Sequence, residues 1–386
     1  MQGVADIEDR IVPVQDGVGR CPSITVCLVT HNRPHYVRSC LESLRHQTIG
    51  LAAFDVIVVD SCSRPEVSEE LARLVADLPN ARLLRVDRPG ASAARNRGAE
   101  VSTADFIAYI DDDGLATPDW IERIQQVVME HETWPGVLGG RVLPVWEAPL
   151  PGWWPESLRG VLSIIEWEGK GEFRTAAVPE GLEPYGVNMI VQRQPLLDMG
   201  GFADRLGRFG GLLLSDEDVQ VGWRLQDRGY SAWYDGRILV HHQIQAVRMR
   251  PEWLIDRLYW QGASTVATRR ILGAPGTVWR ELPRRLAVEL LTLPSALVPK
   301  GSSALLGLRW RLAYARGFTR MALMGEQRKR TLPARLWRAL VRRDGQPIIP
   351  TLDIGARAHE TRAAETPAGE VAVGKVAVGK TGGPRG

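Results

Sequence analysis

Short apolar runs alternate with amphipathic stripes from Ile24 to His131. Ile24–Val29 is β-branched and short, Val56–Val59 and Phe106–Ile110 are continuous apolar runs, and Arg82–Val86 has strand character. Between them, Pro34–His46 carries Tyr36, Val37, Cys40, Leu41 and Leu44 at helical spacing. Pro65–Leu78 reads as a helix with proline near its start, and Ala91–Val101 as another. Thr117-Pro118-Asp119 predicts an N-cap with proline at the first helical position, opening a helix toward His131. Four strand–helix units with apolar strands predict a parallel sheet covered on both faces. From Val142 to Gly186 the periodicity fades among prolines, with Trp146, Trp153, Trp154 and Trp167 crowded between them. Order returns with a strand at Asn188–Val191, a helix to Met199, a turn at Gly200-Gly201-Phe202 and a helix over Asp216–Arg228. Strands near Ala232–Tyr234 and Ile238–Val240 follow, and then helices rich in Arg and Leu.

The predicted organisation is an N-terminal extension (1–22), an α/β domain (23–245), a basic helical region (246–344) and a tail (345–386). The tail is rich in Pro, Gly, Ala and Thr, contains the tandem repeat Val371–Lys380, and is expected to be disordered.

Composition adds one asymmetry. The formal charge of the 386 residues is +3, yet Val247–Asp344 holds 20 Lys/Arg against 6 Asp/Glu, so the remainder is acidic. Such imbalance suggests a polyanionic partner surface. The basic helices read either as solvated faces or, where Trp310, Tyr314 and Phe318 alternate with arginines, as a peripheral contact with an anionic membrane. Nucleic acid is disfavoured because no readout motif accompanies the charge. Cys21, Cys27, Cys40 and Cys62 lack metal or disulfide-scaffold spacing. With a polar N-terminus and no apolar run of spanning length, the expectation is a cytoplasmic protein, peripheral on the inner face of the plasma membrane.

The chemistry concentrates at Asp111-Asp112-Asp113, directly after an apolar strand. Stacked carboxylates repel, and a hard divalent cation (Mg²⁺ or Mn²⁺) carrying a phosphate relieves the conflict. In parallel sheets ligands bind beyond the carboxyl ends of the strands, where Thr30, Asp60 and Asp111–Asp113 all fall.

Thr30-His31-Asn32-Arg33, Leu41–Gln47, Val58–Ser63, Gly90 with Ala94–Gly98, Ile110–Gly114, Gly200-Gly201-Phe202 and Asp216-Glu217-Asp218 follow one another in an order that resembles family 2 glycosyltransferases. The resemblance spans about Ser23 to His242. It implies an α/β GT-A fold, with a C-terminal helical extension here, and transfer of a sugar with inversion from a nucleotide diphosphate donor. The implied acceptor is a hydroxyl of a glycan or lipid-linked molecule, in cell-surface polysaccharide or glycolipid assembly, and a UDP-sugar is the expected donor. By the same resemblance Thr30, Asn32 and Arg33 line the base and ribose, Asp60 bonds the ring or ribose, and Arg95 faces the diphosphate or the base edge. Asp111 and Asp112 belong to the donor-binding set with Glu217, Asp113 and His241 hold the metal, and Asp218 is the catalytic base. An inverting displacement independently requires one such base.

Bland readings stand beside these. Asp60 could be a turn residue, Glu217-Asp218 an ordinary acidic first turn, and the tryptophans core or the rim of an acceptor groove. His242 competes with His241, because alternation puts the two on opposite faces of a strand. Two other functions fit parts of the pattern: a catalytically inactive membrane scaffold of the same fold, and a phosphatase using Asp111-x-Asp113-Gly114 as its nucleophile loop.

Overall fold

The computed structural model describes residues 20–324, apart from 88, 204–205, 208–213 and 300–301, together with 342–343 and 346–347. Four parallel strands form one half of the sheet: β1 (Ile24–Thr30), β2 (Phe54–Ser61), β3 (Ala81–Val86) and β4 (Phe106–Asp111), in the order β3-β2-β1-β4. Helices α1 (Pro34–Arg45), α2 (Pro65–Ala76) and α3 (Ala91–Val101) connect them. Every residue of β1 from Ile24 to Leu28 is buried, as is every residue of β2 from Val56 to Ser61, which explains why these strands read as continuous apolar runs rather than alternations.

After β4 comes β5 (Gly114–Ala116) and then helix α4 (Trp120–Met129), whose N-cap is Asp119, so Pro118 lies in the preceding turn rather than at the first helical position. The sheet continues through β6 (Val137–Trp146), the short β7 (Lys170–Glu172), β8 (Met189–Gln192) and β9 (Ala232–Ile244); α5 (Arg193–Asp198) and α6 (Glu217–Asp227) intervene. Its order beyond β4 is β8-β6-β9-β5, with β8 antiparallel to both neighbours and β7 on β9.

Two predicted strands merge into β9, because its pairing with β6 survives a register shift at Gly140/Arg141. The same pairing carries β6 through Pro144 to Trp146, across the segment where sequence periodicity fades.

A 3₁₀ turn leads from β9 to α7 (Pro251–Ile271), followed by α8 (Pro275–Thr292), a 3₁₀ turn at Leu293–Leu297 and α9 (Leu306–Met324). Glycines let α7 and α9 touch backbone to backbone: a Cβ on Gly262 would meet the Tyr314 carbonyl oxygen at 2.1 Å, and one on Gly317 the Tyr259 carbonyl oxygen at 1.8 Å. Trp154, Leu162, Ile244, Met249, Leu254 and Leu258 form a second core between these helices and the Trp-rich segment. The tryptophans are therefore largely structural, with Trp154 buried and Trp167 stacked on Tyr234.

Described residues up to 324 belong to one compact unit. Of the predicted tail and the end of the basic region, only an antiparallel pairing of 342–343 with 346–347 is described; the rest lies outside the described residues. Among the described residues, no helix is long and apolar enough to cross a membrane.

Candidate active site

The parallel register sets Thr30 beside Asp60 and Val29 beside Asp111, so the ends of β1, β2 and β4 share one edge. A cavity of about 1020 Å³ opens there, lined among others by Thr30, Arg33, Arg95, Asp111–Asp113, Glu217, Asp218 and His242.

Behind Asp113 the chain reverses at Gly114, where a Cβ would meet the Ile110 side chain at 2.7 Å. Strand β5 then pairs with β9, putting Gly114 opposite His242 and Leu115 opposite His241. This pairing decides which histidine faces the acids. His242 is buried with its Nε2 3.3 Å from Asp113 Oδ1, whereas His241 lies on the other face of β9 and does not line the cavity. Of the two histidines, His241, expected at the metal, does not line the cavity, and His242 does.

The acids are held by arginines. Asp112 accepts hydrogen bonds from Thr30 Oγ1 (2.8 Å) and Arg33 Nη1 (2.6 Å). Asp113 Oδ2 accepts from Arg33 Nη2 (2.9 Å), Gln245 Nε2 (2.8 Å) and Arg248 Nη2 (3.1 Å). Burial drives the Asp112 carboxyl up to about 7 against the pull of Arg33. Burial also works to raise Asp113, but His242, Arg248 and Arg33 outweigh it and hold that carboxyl well below the usual range.

The buried Arg95 bridges to the opposite wall, donating to Asp111 Oδ1 (3.0 Å) and to Glu217 Oε1 (2.7 Å). Gly186 makes room for it, since a Cβ there would stand 2.5 Å from Arg95 Nη2. Arg95 therefore acts here as a strut between two acids.

Next to Glu217, Asp218 receives the N–H of Gly186 (2.7 Å) and of Val219 (2.9 Å). Burial, with repulsion from Glu217, raises its carboxyl to about 7 despite Arg95. Glu183 lines the same wall and is also raised to about 7, chiefly by burial, while the Trp223 indole donates to it. A carboxyl poised near neutrality in a cleft suits proton transfer.

Two expected donor-binding residues are not among those lining the cavity. Asp60 is fully buried and accepts the Ser63 N–H (2.9 Å), and Asn32, at φ 56°, accepts the Arg64 N–H (2.9 Å). They shape two turns whose neighbours His31, Ser61 and Cys62 reach the cavity instead. Sequence reasoning passed over Glu183, Gln245, Arg248 and Arg257. Arg248 had a weak signal, six residues beyond His242, and Glu183 sits in a loop without periodicity.

The donor set bears on a metal. His242 Nδ1 lies 3.0 Å from the Leu162 carbonyl oxygen, which can only accept, so Nδ1 carries the proton. In the neutral ring the bare Nε2 faces Asp113 Oδ1, and Arg248 stands between the two acceptors, with Nη1 3.4 Å from Nε2 and Nη2 3.1 Å from Asp113 Oδ2. Asp111, half-exposed in the cavity, adds an oxygen. Among the described residues no group of three or more His, Cys, Asp or Glu forms a cage. An ion of the Mg²⁺ type needs only one or two protein carboxylates when phosphates complete its shell. Asp111 and Asp113 supply the one or two carboxylates that a phosphate-borne divalent ion of this type needs.

Comparison with known proteins follows the same line. The sequence profile of glycosyl transferase family 2 matches residues 25–147. The glucosyl-dolichyl phosphate glucuronosyltransferase of Haloferax volcanii is 31% identical over 246 residues, which cover 63% of this chain and 75% of that protein. The chain belongs to glycosyl transferase family 2. A second Haloferax volcanii protein, the glycosyltransferase AglE, is 25% identical over 222 residues, covering 57% of this chain and 67% of its own. Among solved structures, the mannosyltransferase PcManGT from Pyrobaculum calidifontis, in complex with GDP-Man and Mn²⁺, aligns over 83% of this chain and 79% of its own, with 17% identity. Its TM-score of 0.47 is too low to argue from. The α/β sheet with a helical C-terminal part is the architecture the family resemblance implied. Membership removes the phosphatase reading, and the Asp111–Asp113 loop indeed follows the fourth strand rather than the first.

Proposed function

We propose that the cavity binds a nucleotide diphosphate sugar, a UDP-sugar by preference, and passes the sugar with inversion to a hydroxyl of a glycan or lipid-linked acceptor. The observation that carries this reading is the division of the cavity. One wall holds Asp113, kept charged by Arg33, Arg248 and His242, and the other holds Asp218, raised to about 7 and bonded only to backbone N–H groups. A divalent ion bound with the donor would stabilise the charge that gathers on the departing diphosphate. Asp111 and Asp113 would hold that ion with the phosphates completing its shell, while Arg33 and Arg248 add positive charge on the same side. Asp218, as carboxylate, takes the proton of the acceptor hydroxyl while that oxygen attacks the anomeric carbon. Its two backbone N–H bonds fix its direction. Arg95 holds the donor-side and acceptor-side walls in register through Asp111 and Glu217.

The name of the glucosyl-dolichyl phosphate glucuronosyltransferase supports a lipid-linked sugar as acceptor class, and with it a place in surface polysaccharide or glycolipid assembly at the cytoplasmic face of a membrane. A thermal-shift series against UDP-, GDP-, dTDP- and CMP-sugars with and without Mn²⁺ tests the donor side, because a ligand of the folded state raises the melting temperature by mass action. The expected result is a metal-dependent rise with one nucleotide sugar that disappears in Asp113→Ala. No rise with any of them would favour the inactive scaffold.

A further inference from the structure

Helix α8 carries a stripe of exposed apolar residues that its packing does not use. Trp279, Pro283, Leu286, Leu290, Leu293 and Leu297 follow at spacings of four and three, about a quarter-turn round the helix from the buried Val278 and Leu282. Exposure is greatest near the tip, 71% at Leu290, 81% at Leu291 and 89% at Leu297, with Leu293 at 45%, and Leu305 and Leu308 at the start of α9 are also exposed. Side chains this apolar and this open mark a contact with something else.

The charges beside the stripe say with what. Both acids of α8 are already consumed, Glu281 by Arg269 and Arg285, and Glu289 by Arg316. Arg280, Arg284 and Arg311 make no ion pair among the described residues. Arg284 and Arg311 flank a groove of about 490 Å³ whose walls are Leu258, Val288 and Trp310. A second copy meeting this face about a two-fold axis would oppose cations to cations. Apolar side chains that need burial, bordered by arginines that need anions, match the boundary between headgroups and acyl chains of an anionic bilayer.

We propose that α8, the turn after it and the start of α9 dock on an anionic phospholipid bilayer. The leucines enter the acyl boundary, and Arg280, Arg284 and Arg311 take lipid phosphates. Arg269 borders both the catalytic cavity and a smaller groove shared with Arg280 and Arg284, so the docked face adjoins the cavity. The docking rests on the surface alone and does not depend on the transfer reaction.

The test is co-sedimentation of the full chain with vesicles of phosphatidylcholine, alone or mixed with phosphatidylglycerol. The wild type is expected to pellet with the mixed vesicles. Leu290→Ser with Leu297→Ser should weaken partition at least about tenfold. Arg284→Gln with Arg311→Gln should weaken it roughly thirtyfold and erase the preference for the anionic lipid. All these positions face solvent, and unchanged melting temperatures would show that the variants fold. Wild type that stays in the supernatant would overturn the proposal. So would variants that pellet like wild type, which would assign the binding to basic segments elsewhere in the chain. A concentration-dependent dimer in light scattering, abolished by the leucine changes, would assign the stripe to a second copy and equally end it.

Discussion

Asp113 and Asp218 stand on the two walls of the cavity and resolve the cost of burial in opposite ways. At the strand ends, Arg33, Arg248 and His242 surround Asp113, so its charge persists in spite of burial. At the start of α6, burial and the like charge of Glu217 raise the Asp218 carboxyl to about 7, against the pull of Arg95 and of two backbone N–H groups. Guanidinium groups and His242 keep the charge on Asp113, while Asp112 beside it is raised to about 7, as Asp218 is. What sets Asp218 apart is that its carboxylate oxygens accept backbone N–H groups rather than guanidinium groups. Arg95 is the only strut described between the two walls, joined to Asp111 on one and Glu217 on the other.

Removing that strut should have the largest structural effect. Arg95→Met keeps much of the volume but leaves Glu217 buried without its cation, and losing one partner of a buried pair costs about 3–5 kcal/mol. Because Asp111 is half-exposed, the expected loss in urea unfolding lies at the lower end, about 3 kcal/mol. A loss within 1 kcal/mol, allowing for the scatter of about that size expected of surface changes, would show that the walls are held by something else.

The pH dependence sharpens the contrast. Asp218 acts as carboxylate, so kcat/KM should rise about tenfold per pH unit below an inflection near 7 and flatten above it. Stability runs the other way for this group. Its folded pKa is raised, so the stabilising proton is fully present below about 3.8 and lost as pH climbs through about 7. Asp113 is depressed, and its contribution is present above its unfolded value and lost as pH falls well below it. Glu183→Gln removes a neighbouring acid and should lower the kinetic inflection by less than about one unit. An inflection that stays near 4 in the wild type would place the base elsewhere.

Much of this was legible in the sequence, for a physical reason. Strands β1, β2 and β4 are buried on both faces, so apolar runs and the acids at their ends mark the site edge without tertiary information. Helix α3 begins and ends where its pattern predicts. Legibility failed where pairing partners decide. Strand β6 runs through Pro144 because β9 holds it. The choice between His241 and His242 is made by the opposing Gly114, which alternation alone cannot supply. Asp60 and Asn32 have the right types at the right strand ends, yet local turn hydrogen bonds draw their side chains away from the cavity. Glu183 is invisible to any period because it sits in an irregular loop.

The central claim is that the two walls divide binding from proton transfer, and one preparation tests it: Asp218→Asn, with donor binding and sugar transfer measured side by side. The account predicts donor affinity close to wild type and transfer reduced by at least about 10²–10⁴-fold, the range a positioned base supplies. Donor binding lost together with transfer, or transfer persisting near the wild-type rate, would contradict it.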